Sequence, residues 1–106
     1  MIYLSAKIRC PAYRAFIRSK PCCVCFHSPV EAAHIKARGL GSGKQNDFLA
    51  VPLCNRCHHE QHQVGIKTFQ YVHRLNLWQI AAMYLVEFFA DPERRMAVQV
   101  HVSEKS

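Results

Sequence analysis

The sequence predicts a small α+β domain stapled by a bound metal ion. Three observations carry this expectation. Cys22 with Cys25, and Cys54 with Cys57, form two Cys-x-x-Cys knuckles. Between the knuckles lie two short apolar segments, separated by a loop that holds three of the chain's four glycines. After the second knuckle, apolar residues recur at helical spacing. The chain has 106 residues, about one domain. A domain of that size buries a limited core, and a metal staple adds to it. There is no repeat and no low-complexity segment, so residues 1–106 read as a single domain.

Each element follows from local chemistry. Pro11 suits the first position of a helix over residues 11–19, where its missing N–H costs nothing. Tyr13, Phe16 and Ile17 share one face of that helix, with Arg14 and Arg18 on the other. Lys20-Pro21 ends it and leads into the first knuckle. Residues 29–36, PVEAAHIK, read as a strand. The glycine-rich stretch that follows is a loop made basic by Lys36, Arg38 and Lys44. Residues 48–54, FLAVPLC, read as a second strand, giving a β-hairpin with a long loop. A short helix over residues 57–64 is expected to stop near Gly65, with a further turn or two over 66–75. Asn76 can cap a helix over residues 77–90, with Leu77, Ile80, Ala81, Tyr84, Leu85 and Phe88 on one face. Asp91-Pro92 stops that helix or starts a fresh turn. The polar tail from Gln99 is expected to fray.

Composition narrows the class. Half of the residues are apolar, which excludes wholesale disorder. No apolar run approaches the roughly 20 residues that span a bilayer, and no secretory signal is evident. The expected compartment is the cytoplasm. The formal charge is +7, and before Asp47 there are eight Lys or Arg residues against one acid, Glu31. Such a balance points to a polyanionic partner, with nucleic acid ahead of a membrane surface.

The cysteines point to zinc rather than disulfides, which are rare inside cells. Cys22, Cys25, Cys54 and Cys57 fit a four-thiolate site, and four thiolates leave no open position, so the ion would be structural. His27 could replace one cysteine, and Cys23 lies adjacent to two ligands. Cys10 reads as a small apolar residue. A second group is made of histidines. His58 and His62 are four residues apart on a helix and so share a face. Two neutral imidazoles at that spacing can clasp one divalent ion. His59 points elsewhere, and His34 lies on the first strand. The plain alternatives are a core histidine at His34 and an inert helical pair at His58 and His62.

The combination PCCVC, VEAAHI and GLGSGKQNDFLAVPLCNRCHHEQH resembles the HNH endonucleases, with their ββα-metal core. The nearest likeness is to small phage and prophage zinc-knuckle nucleases of the RecA-dependent recombination-enhancement type. The resemblance covers about residues 22–65 and implies a core there, flanked by the N-terminal helix and by C-terminal helices over about 66–98. It implies a metal-dependent endonuclease that hydrolyses DNA phosphodiester bonds in phage or prophage recombination or DNA processing. His34 would be the general base that activates water, oriented by Asp47, with Asn46 as the other candidate. His58 and His62 would hold a catalytic divalent ion such as Mg²⁺ or Mn²⁺, beside the structural Zn²⁺. Lys36, Arg38, Lys44 and Arg56 would contact phosphates, and the partners would be DNA and, as a further candidate, a recombinase filament. Ala33 stands where many members carry an acid or histidine that ligates the metal; Glu31 or Asp47 could compensate, or water and phosphate oxygens could complete the shell. The position where many members carry the orienting Asn falls on Leu49. Two other readings remain: a non-catalytic zinc-dependent nucleic-acid-binding module, and an interaction domain using residues 77–90.

Overall fold

The structure is a computed structural model that describes residues 7–35 and 46–103. Lys36, Arg38 and Lys44 lie outside the described residues. In chain order the elements are β1 (Lys7–Arg9), α1 (Pro11–Arg18), β2 (Glu31–His34), β3 (Ala50–Leu53), α2 (Asn55–His73), α3 (Leu77–Ala90), α4 (Pro92–Ala97) and β4 (His101–Ser103). The expected α+β class holds.

The hairpin β2–β3 is the middle layer. It is antiparallel, pairing Glu31 with Leu53, Ala32 with Pro52, Ala33 with Val51 and His34 with Ala50. Side chains alternate across a strand, so its two faces meet different partners. Ala33, Ile35, Val51 and Leu53 pack with Cys57 and Phe69 of α2 and with Leu77 and Ala81 of α3. Ala32 and Phe48 border a second core, made by Cys10, Tyr13, Phe16 and Ile17 of the α1 region with Phe88 of α3. Both strands are shorter than the segments expected from the sequence. Pro52 sits inside β3, where it pairs with Ala32.

Helix α1 starts at Pro11 and buries Tyr13, Phe16 and Ile17, as the pattern predicts. Asn76 caps α3 by accepting from the Gln79 amide at 3.1 Å. Asp91 ends α3 and caps the fresh turn of α4 through the Glu93 amide, 2.9 Å away.

One of the remaining expectations holds and one is corrected. The helix expected over residues 57–64 starts slightly earlier, at Asn55, and is interrupted as expected at Gly65 (φ 86°, ψ 158°); a second helical stretch follows to His73. Glycine adopts that conformation at no steric cost, so the chain turns and resumes its helix. The tail expected to fray instead pairs as β4 with β1, in the register Lys7 to Ser103 and Arg9 to His101.

Candidate metal centre and histidine pairs

The first centre is built by the two knuckles. In the first, the Cys22 amide donates to the His27 carbonyl (3.0 Å) and the Phe26 amide to the Cys22 carbonyl (2.9 Å). Phe26 takes a left-handed conformation, φ 65°, which reverses the chain tightly. The second knuckle is the start of α2: Cys54 is its N-cap and Cys57 lies in its first turn. The Cys23 amide donates to the Pro52 carbonyl at 2.9 Å, tying the first knuckle to β3. The sulfurs of Cys22, Cys25, Cys54 and Cys57 consequently all lie within 4.8 Å of one another. Cys25 Sγ is 3.5 Å from Cys54 Sγ and 3.9 Å from Cys57 Sγ. A tetrahedral zinc with bonds of about 2.3 Å would space its sulfurs by roughly 3.8 Å. The donor set and its spacing fit a metal ion such as zinc.

The thiols do not share one electrostatic setting. Hydrogen bonds from the His27 backbone and ring hold Cys25 down at about 5. Burial pushes Cys57 up, and burial pushes Cys23 up to about 12. Cys23 is not among the four clustered thiols, and neither is His27, which serves Cys25 as a donor. Arg56 is exposed in the first turn of α2. The Cys57 sulfur, first among its neighbours, favours its charged form, and its side chain also hydrogen-bonds Cys25.

The second group joins His34 to Asp47. His34 Nε2 lies 2.7 Å from Asp47 Oδ1, and Asp47 is fully buried. A carboxylate only accepts, so Nε2 carries the proton and the lone pair is on Nδ1. The other oxygen, Oδ2, accepts from the Cys10 amide at 2.7 Å and faces Arg14 Nε at 3.0 Å. The Asp47 amide in turn donates to the Ile8 carbonyl at 3.0 Å. Cys10 is the N-cap of α1 and offers no side-chain cap of its own; the Asp47 carboxylate supplies the anion that a helix N-terminus favours. Asn46 has a different role: its side chain accepts from the Phe48 amide at 2.9 Å and shapes the turn.

The third group joins Glu31, His58 and His62. His58 Nδ1 is 2.7 Å from Glu31 Oε1, and His58 Nε2 is 3.1 Å from His62 Nε2. The hydrogen bond from His58 holds Glu31 below the usual carboxylate range. His59 is exposed, and His73 pairs with Glu60 at 2.7 Å across the Gly65 bend.

The histidine groups use opposite faces of β2. Glu31 leaves on the α2 side with Ala33, while His34 leaves on the α1 side with Ala32. Their Cα atoms lie three residues apart, about 10 Å along a strand. Ala33 is 2% exposed within the first core.

Arg14 and the Cys10 amide were not foreseen as partners of Asp47. The available sequence signal was Arg14 on the polar face of a helix that follows Cys10-Pro11.

Fold and centre define the class: a small α+β protein with a four-cysteine cluster able to bind a metal ion such as zinc. The chain belongs to DUF968, a family described as of unknown function, whose pattern matches residues 5–83. No curated protein and no solved structure matches the chain. Among the described residues, no helix is long and apolar enough to cross a membrane.

Proposed function

We propose that the protein is a metal-dependent endonuclease of the HNH type, hydrolysing DNA phosphodiester bonds in phage or prophage recombination or DNA processing in the bacterial cytoplasm. The observation that carries this reading is the 2.7 Å contact between His34 Nε2 and the buried Asp47 carboxylate. It fixes the ring and leaves Nδ1 as the proton acceptor for an attacking water. His58 and His62 would hold the catalytic divalent ion, which supplies charge neutralisation for the scissile phosphate and the leaving oxygen. Zinc in the cysteine cluster would hold the first turn of α2, from which His58 projects. Basic side chains, among them Arg56, would follow the phosphate backbone with a steep salt dependence.

A second reading is a zinc-dependent nucleic-acid-binding module without catalysis. It is favoured by two observations: Ala33 is buried where a metal-ligating side chain would be needed, and His34 and Glu31 leave opposite faces of β2. Plasmid nicking decides between the two. The nuclease nicks DNA with added Mn²⁺ or Mg²⁺, is silenced by EDTA, and loses nicking in His34→Ala while still binding DNA. Salt-sensitive binding with no nicking under any divalent ion would leave the binding module.

A further inference from the structure

We propose that Glu31 orients His58 for metal binding and is not itself a ligand, and that the ion it serves is one that prefers imidazole nitrogen to oxygen. This inference rests on the reading of His58 and His62 as metal ligands. Imidazole has two nitrogens with distinct roles, and the partner of one decides what the other offers. In His58, Nδ1 is taken by Glu31 Oε1 at 2.7 Å. The carboxylate accepts, so Nδ1 carries the proton. Nε2 then presents its lone pair, and it faces His62 Nε2 at 3.1 Å. The ring centroids are 4.7 Å apart, inclined by 41°.

Two imidazole nitrogens facing one another need a proton or a cation between them. For a tetrahedral ion with bonds of about 2.0–2.1 Å, the nitrogen separation is roughly 3.3–3.4 Å. The observed spacing is a few tenths shorter, within the reach of a small rotation of either ring. A carboxylate on the remote nitrogen of a ligating histidine is a recurrent arrangement. It fixes the tautomer and raises the basicity of the ligand.

The hairpin register explains why Glu31 occupies this place. Glu31 pairs with Leu53, and α2 begins two residues later, at Asn55. Glu31 therefore lies beside the first turn of α2. The loss of a ligating side chain at Ala33 is then not made good by Glu31, because its nearest oxygen is committed to Nδ1. The protein supplies two nitrogens, and water or phosphate oxygens complete the shell. Such a donor set suits Co²⁺, Ni²⁺ or Zn²⁺ better than Mg²⁺, which prefers oxygen.

The test is Co²⁺ titration of the zinc-loaded protein, followed by calorimetry and visible absorption, with a matched Mg²⁺ titration. It is paired with ¹⁵N NMR of the His58 tautomer before Co²⁺ is added. Wild type is expected to bind one Co²⁺ tightly relative to Mg²⁺ and to show the Nδ1–H tautomer at His58. His62→Ala should abolish that binding. Glu31→Ala should weaken it about 10–100-fold and shift His58 toward the Nε2–H tautomer, while Glu31→Gln, which still accepts through its amide oxygen, keeps part of the affinity. Retained zinc and an unchanged circular dichroism spectrum certify the fold of each variant. Wild-type affinity in Glu31→Ala, or abolition as complete as in His62→Ala with no partial recovery in Glu31→Gln, overturns the orienting role while leaving the two-histidine site standing. Equal or tighter Mg²⁺ binding overturns the nitrogen preference. No second ion bound by wild type overturns the metal site of the proposed nuclease, and this inference with it.

Discussion

Replacing Asp47 with alanine tests the histidine site at its most connected atom pair. The wild-type carboxylate is fully buried and meets His34 Nε2 at 2.7 Å, the Cys10 amide at 2.7 Å and Arg14 Nε at 3.0 Å. The substitution leaves the Cys10 amide buried without an acceptor, which costs about 1–3 kcal/mol. Loss of the His34 hydrogen bond adds about 1 kcal/mol. The Arg14 side chain is 33% exposed, so its charge can turn to water, and that pair contributes no more than about 1 kcal/mol. The total is roughly 2–5 kcal/mol, against about 5–15 kcal/mol for a whole domain.

Asp47→Ala should therefore fold, with its urea midpoint lowered by roughly 1–2.5 M for a slope of about 2 kcal/mol/M, usual in small proteins. Trp78 is the only tryptophan and reports the transition by fluorescence. Asp47→Asn keeps one acceptor oxygen and should fall between the two. Nicking should drop in both variants, because neither holds the His34 ring as the carboxylate does. A midpoint for Asp47→Ala within about 0.3 M of wild type would refute the assignment of Asp47 as the buried anchor of β1, α1 and the hairpin.

Other perturbations test other parts of the molecule. Cys54→Ala should lose the structural metal, measured by a chromophoric zinc assay, and lose cooperative unfolding, because metal affinity at such a site is folding free energy. Gly65→Ala should lower the melting temperature, at a cost of about 1–3 kcal/mol; among the described residues an added Cβ at Gly65 meets nothing within 4 Å, so that cost is conformational. Among the described residues the buried Tyr13 hydroxyl has no hydrogen-bond partner, so Tyr13→Phe should be as stable as wild type or more stable by up to about 1 kcal/mol, read from urea unfolding. Glu31 has its pKa depressed below the ordinary 4.5, first by the hydrogen bond from His58. Its contribution is present above the ordinary value and is lost as pH falls through the depressed one. The stability gap between wild type and Glu31→Gln should thus narrow on going from about pH 6 to below about pH 4, and it should be small, since half of the side chain is exposed.

What was legible in the sequence is what local chemistry encodes. Pro11 marks the start of α1, Asn76 caps α3, and the Cys-x-x-Cys spacings select four sulfurs out of six cysteines. The missed features depend on distance along the chain. Strands β1 and β4 have three residues each, too few for alternation to register, and each is buttressed by a partner at the opposite end of the sequence. Gly65 reads locally as a break and is one; what local chemistry does not show is that Phe69 beyond it belongs to the same core as Cys57 before it. The pairing of His34 with Asp47 is what the resemblance implies, with Asp47 preferred to Asn46 for its place just before the second strand. Arg14 is not so implied, because a polar helix face shows that a charge points outward without showing what it meets.

The hairpin is therefore gripped from two sides by unlike devices. On one side, Asp47 is bound through its amide to Ile8 and through its carboxylate to Cys10 and Arg14, so the β1–α1 segment sets where His34 can point. On the other, the Cys23 amide holds Pro52 of β3, and Cys54 and Cys57 bring the start of α2 to the sulfur cluster. His58 follows Cys57 directly, and its amide donates to the Cys54 carbonyl at 2.8 Å. The sulfur cluster thus governs the position of His58 through one helical turn, whereas His34 is governed by packing and hydrogen bonds that involve no sulfur. The family match, residues 5–83, takes in both grips and the hairpin between them.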